Sequence, residues 1–252
     1  MTQHSAAEWH KRYVQQSSWT RDLKRYFFSL IGLEKANRVL EVGCGTGAIL
    51  MDILDTNPSG LYGLDISLKY LRLAAMNIPA CNLTHGDALV LPFKSGSFDV
   101  VLCHFFLLWV GKPEKALAEM VRVTRPGGHV MALAEPDYGG RIDYPDPLGK
   151  MGKLQARALQ KKGADIHLGR KLSGLFYKVG LVDVQAGVLG NFWKEPPSIE
   201  DRALEWEVLE DDLSGCKQDM DMSHYTVLDE AAWSDGSRVL FVPTFYAWGK
   251  VA

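Results

Sequence analysis

The feature that most constrains the fold is a regular alternation of strand and helix patterns between residues 38 and 136. Apolar segments predict five strands, in RVLEVG, GLYGLDI, CNLTHGD, FDVVLCHF and GHVMALAE. Helical patterns lie between them in AILMDIL, SLKYLRLAAMN and KPEKALAEMVRVT. Near-continuous apolar strands that alternate with helices are typical of a parallel sheet covered on both faces. The pattern therefore predicts an α/β fold with a doubly wound sheet.

The remaining segments extend this core and add material outside it. Residues 1–30 have a helical pattern, DYGGRIDYPDPLG is a predicted loop, and LGKMGKLQARALQ and GRKLSGLFYKVG are predicted helices. Two last strands are predicted in LVDVQAGVL and RVLFVPTFYAWGKV, where Pro243 favours an edge position or a bulge because proline lacks an N–H. We expect one domain over residues 1–252. Its core comprises about 33–136, 169–190 and 238–251, and its cap segments are 1–30, 137–168 and 190–235.

Charge restricts the partners that this chain can attract. The formal net charge is −2, so no overall electrostatic attraction to nucleic acid is expected. Residues 195–235 hold thirteen Asp or Glu and two Lys or Arg, a local net of −11, which leaves +9 for the rest of the chain. Such a stretch attracts a cationic substrate or forms a solvated face, and the solvated face is the commoner outcome.

The polar amino-terminal segment, the lack of a long apolar stretch and the cysteine spacing lead us to expect a cytoplasmic protein without metal. The amino terminus, MTQHSAAEWHKRY, lacks the apolar core of a signal peptide, and FDVVLCHFFLLWV is too short to span a bilayer. The four cysteines show no spacing typical of metal ligands: Cys44, Cys81, Cys103 and Cys216. We therefore expect reduced thiols, no metal site and no membrane partner.

Three glycines follow the first predicted strand at alternate positions, in VLEVGCGTGAIL. Gly43, Gly45 and Gly47 allow a tight strand-to-helix turn and a close approach of the backbone to a ligand. The N–H groups of the helix behind the turn face the same position. A plain turn would not require three glycines, so we expect a small molecule here. With Ala48 as its last residue, the segment also fits a loose dinucleotide fingerprint.

Two acidic positions narrow the choice of ligand. Asp65 ends the second strand about twenty residues after the glycines, where a carboxylate accepts two ribose hydroxyls. That position suits both NAD and S-adenosylmethionine. Asp87 and Ala88 end the third strand, where an acid can accept from an adenine amino group and a small residue exposes its backbone N–H.

The run from Arg38 to Glu135 resembles the class I S-adenosylmethionine-dependent methyltransferases of the ubiquinone and menaquinone type. The resemblance rests on VLEVGCGTG, GLDIS, GDALVLPF, FDVVLCHF and RVTRPGG, in this order over about a hundred residues. It implies a Rossmann-like, doubly wound seven-stranded sheet with an antiparallel last strand and helical cap segments. It also implies S-adenosyl-L-methionine as cofactor, S-adenosyl-L-homocysteine as product, and a small-molecule acceptor. Many relatives carry a His-His pair where this chain has Leu108 and Trp109.

The resemblance also implies a set of cofactor-binding residues. Glu41 would organise the methionine ammonium, Asp65 would hold the ribose, and Ile66 would pack on adenine. Cys103 would border the sulfonium together with His104. The full set is Glu41, Gly43, Gly45, Gly47, Asp65, Ile66, Asp87, Ala88 and Cys103.

His104 and Glu135 are the candidate catalytic residues, because each lies at the carboxyl end of a predicted strand. His104 has an ordinary pKa near neutrality and is either a general base or a histidine bonded to a neighbouring loop carbonyl. Glu135, with Asp137 and Tyr138 after it, either binds and deprotonates an acceptor or braces a loop.

Aromatic residues in the cap segments indicate the character of the acceptor. Tyr13 and Trp19 either form a lid over the sulfonium, which an aromatic face favours, or pack between helices. The cap aromatics as a group favour an apolar or aromatic acceptor: Tyr13, Trp19, Tyr138, Tyr144, Trp193 and Trp206. In an open α/β sheet the cap segments would cover the crevice at the carboxyl ends of the strands.

Three functions are consistent with these observations. The leading one is S-adenosylmethionine-dependent methyl transfer to a small organic acceptor. A non-catalytic S-adenosylmethionine-binding regulatory subunit would keep the same binding motifs. An NAD-dependent oxidoreductase is a distant alternative, since it leaves Asp87, Ala88 and RPGG unexplained.

Overall fold

The computed structural model describes residues 5–56, 58–189, 197–214 and 221–252. The strands of these residues are β1 (Val39–Val42), β2 (Leu61–Asp65), β3 (Asn82–His85), β4 (Phe98–Cys103), β5 (Thr124–Pro136), β6 (Ile142–Tyr144), β7 (Val182–Leu189), β8 (Val239–Phe241) and β9 (Thr244–Lys250). The helices are α1 (Ala6–Trp19), α2 (Arg21–Leu30), α3 (Ala48–Leu54), α4 (Leu68–Asn77), α5 (Pro113–Val123), α6 (Asp146–Lys161), α7 (Leu168–Lys178), α8 (Ile199–Leu213) and α9 (Met222–Ser234). Short 3-10 turns span Leu33–Lys35, Leu107–Trp109 and Tyr138–Gly140.

Seven strands form one sheet in the order β3-β2-β1-β4-β5-β9-β7. The pairs from β3 to β5 are parallel, whereas β9 is antiparallel to both of its neighbours. The predicted α/β fold with an antiparallel last strand is confirmed. The strand order reverses its direction between β1 and β4, and ligands bind at the carboxyl ends of strands at such a switch point.

Two hydrophobic clusters fill the two faces of the sheet. All four residues of β1 are buried, and successive side chains of a strand point to opposite faces. Leu40 therefore belongs to the cluster that includes Phe176 of α7, whereas Val39 belongs to the cluster that includes Phe27 of α2 and Ile53 of α3. Each fully buried Leu or Phe contributes about 1.5–3 kcal/mol to folding. The clusters fix the carboxyl ends of the strands in place.

The structure corrects two of the predicted segments. RVLFVPTFYAWGKV is two strands rather than one, because β8 pairs with β6 in a separate two-stranded sheet and β9 enters the main sheet. Pro243 lies between them, where its missing N–H is not needed, and its carbonyl accepts from Asp137 N at 2.7 Å. The segment DYGGRIDYPDPLG, predicted as a loop, contains β6 and a 3-10 turn. A three-residue strand forms only by pairing with a strand that is distant in sequence, so its own residues give little indication that it is a strand.

The cap segments are joined by buried charges as well as by apolar contacts. Helices α6 and α8 share the cluster that includes Met151 and Leu209. Beside it, Arg238 forms ion pairs with Asp229 of α9 and with Asp143 of β6, at 2.6 and 3.0 Å. The acidic residues of 195–235 are thus in part neutralised by basic residues from elsewhere in the chain.

Two further expectations concern cysteines and the membrane. Cys44, Cys81 and Cys103 are free thiols, whereas Cys216 and Trp193 lie outside the described residues. Within the ranges that the structure describes, every helix is too short or too polar to cross a membrane.

Candidate functional site

A cavity of about 400 Å³ lies at the carboxyl ends of β1, β2 and β4. Helix α1 covers it from one side, and all three predicted cap segments contribute to its lining. Its lining includes Arg12, Tyr13, Glu41, Gly43, Gly45, Asp65, Ile66, His104, Phe105, Phe106, Trp109, Tyr138, Lys162 and Asp212.

The glycine loop, residues 43–47, forms the floor of this cavity. Gly43 and Gly45 have φ angles of 75° and 52°, in the left-handed region that favours glycine. A Cβ on Gly43 would lie 2.1 Å from the ring of Phe106, and a Cβ on Gly45 would lie 3.3 Å from the ring of Tyr13. Neither glycine can therefore be replaced without displacing a residue that lines the cavity.

Asp65 binds the glycine loop to the second strand. One carboxylate oxygen accepts from Gly45 N and the other from Ser67 N, both at 2.8 Å. Each carboxylate oxygen has a second lone pair, so two further hydroxyl donors can be accepted. Ile66, which follows it, is 70% exposed at the edge of the cavity and offers a flat ligand an apolar contact.

Glu41 presents a buried oxygen that no described residue satisfies. The residue is 2% exposed and lines the cavity, and its Oε2 has no hydrogen-bond partner in the described ranges. Burial, with the nearby Asp65 carboxylate, raises the pKa of Glu41 well above its ordinary value. A buried acceptor without a partner is costly, and an ammonium group would satisfy it. These residues fit S-adenosylmethionine, whose amino group and ribose hydroxyls match Glu41 and Asp65.

His104 lines the cavity as a neutral base. Its Nε2 contacts Thr20 Oγ1 at 3.0 Å, and that hydroxyl donates to Ser17 O at 3.1 Å. Because the Thr20 hydroxyl donates its proton to Ser17 O, it can only accept a hydrogen bond from His104. We therefore infer that the Nε2–H of His104 donates to Thr20 and that Nδ1 of His104 keeps its lone pair. In the described part of the chain, no hydrogen bond engages Nδ1. Burial, with the charge of Lys24, lowers the pKa of His104 well below its ordinary value.

Glu135 lies behind the cavity and does not line it. It is fully buried at the end of β5. Its carboxylate accepts from the backbone N–H of Phe106, Leu107 and Leu108, at 3.1, 2.8 and 3.1 Å. This placement does not support the predicted contact with an acceptor, because the carboxylate oxygens face backbone donors.

Four other predicted residues are also absent from the lining that the described residues form: Gly47, Asp87, Ala88 and Cys103. Gly47 serves packing instead, since a Cβ there would lie 2.8 Å from Ile78. The Asp87 side chain is exposed and accepts from Leu89 N at 2.8 Å, in its own turn.

The other half of the cavity is built from cap residues that the motifs did not reveal. Arg12 is 5% exposed, pairs with Glu205 of α8, and lies 4.8 Å over the ring of Trp19. Its Nε finds no partner among the described residues. Lys162, directly after α6, and Asp212 of α8 form an ion pair at 3.0 Å.

A helical pattern in the amino-terminal segment does indicate part of the cap half of the cavity. Trp9, Arg12, Tyr13 and Gln16 follow the i, i+3, i+4, i+7 spacing of one helical face, and all four line the cavity. Of the two aromatic residues predicted to form a lid, Tyr13 lines the cavity, whereas Trp19 contacts Arg12 and Phe105 beside it.

Comparisons with known proteins agree with this architecture. A family described as a methyltransferase domain matches residues 40–132. The demethylmenaquinone methyltransferase of Renibacterium salmoninarum is 38% identical over 122 residues, which are 48% of this chain and 51% of that protein. The chain therefore spans about half the length of this relative. The demethylmenaquinone methyltransferase of Geobacillus kaustophilus is 32% identical over 189 residues, which are 66% of this chain and 78% of that protein.

Solved structures show the same fold. An S-adenosylmethionine-dependent methyltransferase of Thermotoga maritima aligns over 99% of this chain and 100% of its own, with a TM-score of 0.55 and 17% identity. A Haemonchus contortus phosphoethanolamine N-methyltransferase, solved with S-adenosylhomocysteine, aligns over 86% of this chain and 50% of its own, with a TM-score of 0.55 and 16% identity. Together with the sequence relatives, the fold and the cavity at the glycine loop establish that the chain belongs to the class I S-adenosylmethionine-dependent methyltransferases of the menaquinone and ubiquinone type.

Proposed function

We propose that the chain transfers a methyl group from S-adenosylmethionine to a small aromatic acceptor with a phenolic hydroxyl, such as a reduced quinone. The observation that carries the proposal is that one cavity joins the glycine loop and Glu41 to a neutral histidine and an aromatic surface. The family relationship does not favour the oxidoreductase or the non-catalytic subunit.

The cofactor half of the cavity would hold S-adenosylmethionine through groups that lack partners. Glu41 Oε2 is the acceptor for the amino group, and the second lone pairs of Asp65 are acceptors for the ribose hydroxyls. Ile66 provides the apolar contact for adenine. When bound, S-adenosylmethionine supplies a methyl carbon activated by its sulfonium, which an aligned acceptor attacks directly.

His104 is the group that we propose to take the proton of the acceptor hydroxyl, at Nδ1. Because the pKa of His104 is lowered, the imidazole stays neutral at pH 7 and keeps that lone pair. The same shift makes it a weak base, so the proton must come from an acidic hydroxyl. A phenol, with a pKa of about 10 like tyrosine, meets this requirement better than an aliphatic alcohol.

The surface beside His104 suits an aromatic ring. Phe105, Trp109 and Tyr138 line the same cavity, and the Phe105 ring lies 4.9 Å from the His104 ring. Such a lining excludes water from the reacting atoms. Two relatives bear the name demethylmenaquinone methyltransferase, which supports a quinone-type acceptor for this chain.

A turnover assay tests the proposal. The protein is incubated with S-adenosylmethionine carrying a deuterated methyl group and a panel containing a reduced naphthoquinone, an aliphatic alcohol and an aliphatic amine. We expect label in the reduced naphthoquinone alone. His104→Gln should lower its turnover by about 10²–10⁴-fold, while His224→Gln, a change at an exposed histidine of α9, should have no effect. Labelling of the amine or the alcohol in place of the reduced naphthoquinone would overturn the assignment.

A further inference from the structure

Glu135 connects β5 to the segment that borders the cavity. Residues 104–108, here the wall segment, follow β4 and present His104, Phe105 and Phe106 to the cavity. The Glu135 carboxylate accepts three backbone N–H bonds from this segment. We propose that Glu135 is a positioning residue whose ionised carboxylate holds the wall segment in its binding conformation. The inference rests on the proposed function for the identity of the ligand.

The wall segment has a conformation that requires external support. Phe105 has a φ of 49°, which is unfavourable for a bulky residue, and its N–H donates to Ala134 O at 2.8 Å. The next ring, that of Phe106, packs against Gly43 of the glycine loop. A shift of this segment would therefore move His104 and the surface of the cofactor half together.

The three bonds require a carboxylate rather than an amide or a neutral acid. An ionised carboxylate is an acceptor at both oxygens, whereas a glutamine or a protonated glutamate carries a donor on one side. That donor would face a backbone N–H of Phe106, Leu107 or Leu108. Loss of the charge therefore removes at least one of the bonds that fix the wall segment.

The ionisation of Glu135 changes near neutral pH. Burial raises the pKa of Glu135 to about 7, and the backbone N–H bonds from Leu107, Phe106 and Leu108 oppose that rise. Among the described residues, the titratable group that faces it is the Cys103 thiol of β4, at 3.9 Å, whose own pKa is raised by burial and by Glu135. From α7, Gly169 packs on the backbone of Glu135, and Arg170 pairs with Asp137 at 2.8 Å. His104 directs its Nε2 toward Thr20.

The inference predicts that ligand binding weakens as pH falls below 7. If binding requires the ionised form, the affinity for S-adenosylhomocysteine should fall about tenfold between pH 8 and pH 6. Titration calorimetry measures this for the wild type, for Glu135→Gln and for Glu114→Gln, an exposed control on α5. We expect Glu135→Gln to bind at least tenfold more weakly at pH 8 and to lose the tenfold fall that Glu135 contributes, so that only a change due to Glu41 remains, and Glu114→Gln to follow the wild type.

A second readout tests the positioning without any ligand. Trp109 follows the wall segment and Trp19 contacts Phe105, so two of the seven tryptophans report the segment, and the difference between the wild type and Glu135→Gln removes the signal of the other five. The wild type should show a titration near pH 7 that Glu135→Gln lacks. If Glu135→Gln does not fold, Glu135→Asp, which keeps the charge, should retain the titration with weaker binding. A wild type without this titration, or a Glu135→Gln protein with the binding profile of the wild type, would overturn the inference. Absence of S-adenosylhomocysteine binding at every pH would instead contradict the proposed function.

Discussion

At the scale of single residues, the site depends on side chains that bind the protein and the ligand at once. Asp65 is the clearest case, because its oxygens already accept from Gly45 N and Ser67 N. The position of Asp65 after β2 indicated a ribose contact. The hydrogen bond from Gly45 N to Asp65 could not be predicted from the sequence spacing, because it depends on how the glycine loop curves back toward Asp65.

Asp65→Asn should weaken S-adenosylhomocysteine binding by about 1.5–3 kcal/mol, the usual value of a hydrogen bond to a charged group. The amide also places a donor against one of the two backbone N–H groups, which loosens the glycine loop. Calorimetric titration measures the loss, with Glu230→Gln, at an exposed position of α9, as the control. Equal affinity in the Asp65 variant and the wild type would exclude a ribose contact at this residue.

His104 should make the protein less stable in acid. Its pKa is lowered in the folded state by burial and by Lys24, so below pH 6.5 the unfolded chain takes up the proton first. Stability that is present above pH 6.5 is therefore lost as pH falls. Urea unfolding at pH 7.5 and pH 5.5 should show a larger loss for the wild type than for His104→Gln. Equal losses in both proteins would mean that this histidine is not buried in its neutral form.

At the scale of elements, the central strands were predictable and the cap was not. Strands β1, β2 and β4 are nearly continuous apolar runs, so the sequence of each strand itself predicts its burial. By contrast, β6 and β8 are three residues each and exist only because they pair with one another. The wall segment begins within the motif FDVVLCHF, but the carboxylate that accepts its backbone N–H groups belongs to Glu135 on a different strand.

The ion pair that joins α1 to α8 should contribute a measurable coupling energy to stability. Arg12 is buried and Glu205 is 34% exposed, so their ion pair is screened more than a fully buried one. A double-mutant cycle with Arg12→Met and Glu205→Gln should give a coupling energy of about 1–2 kcal/mol in urea unfolding. A value near zero would show that α1 is not fastened to α8 through this pair.

At the scale of the whole molecule, the sheet brings together residues that are far apart in sequence. Gly43, Asp65 and His104 lie at the carboxyl ends of three different strands and meet at the switch point. Their positions could be predicted, because strand ends in a doubly wound sheet share one edge. Lys162 and Asp212 reach the same cavity through the packing of the cap, which no local pattern specifies, whereas Arg12 belongs to a helical face that its spacing indicates.

The charge of the whole molecule predicts a lack of affinity for nucleic acid. The net charge is −2 and the acidic stretch at 195–235 opposes the neutralisation of phosphates. Filter retention of RNA and DNA at low salt should show no binding at submicromolar protein. Retention that disappears with added salt would reveal a basic surface that the net charge conceals.

The most direct test of the account is a crystal structure of the protein with S-adenosylhomocysteine. We expect density in the cavity at the glycine loop, with the amino group about 3 Å from Glu41 Oε2 and the ribose hydroxyls at a similar distance from Asp65. We also expect that the side of the sulfur nearest His104 faces open space bordered by Phe105 and Trp109. Density at another position, or a ligand that leaves Glu41 Oε2 without a partner, would contradict this expectation.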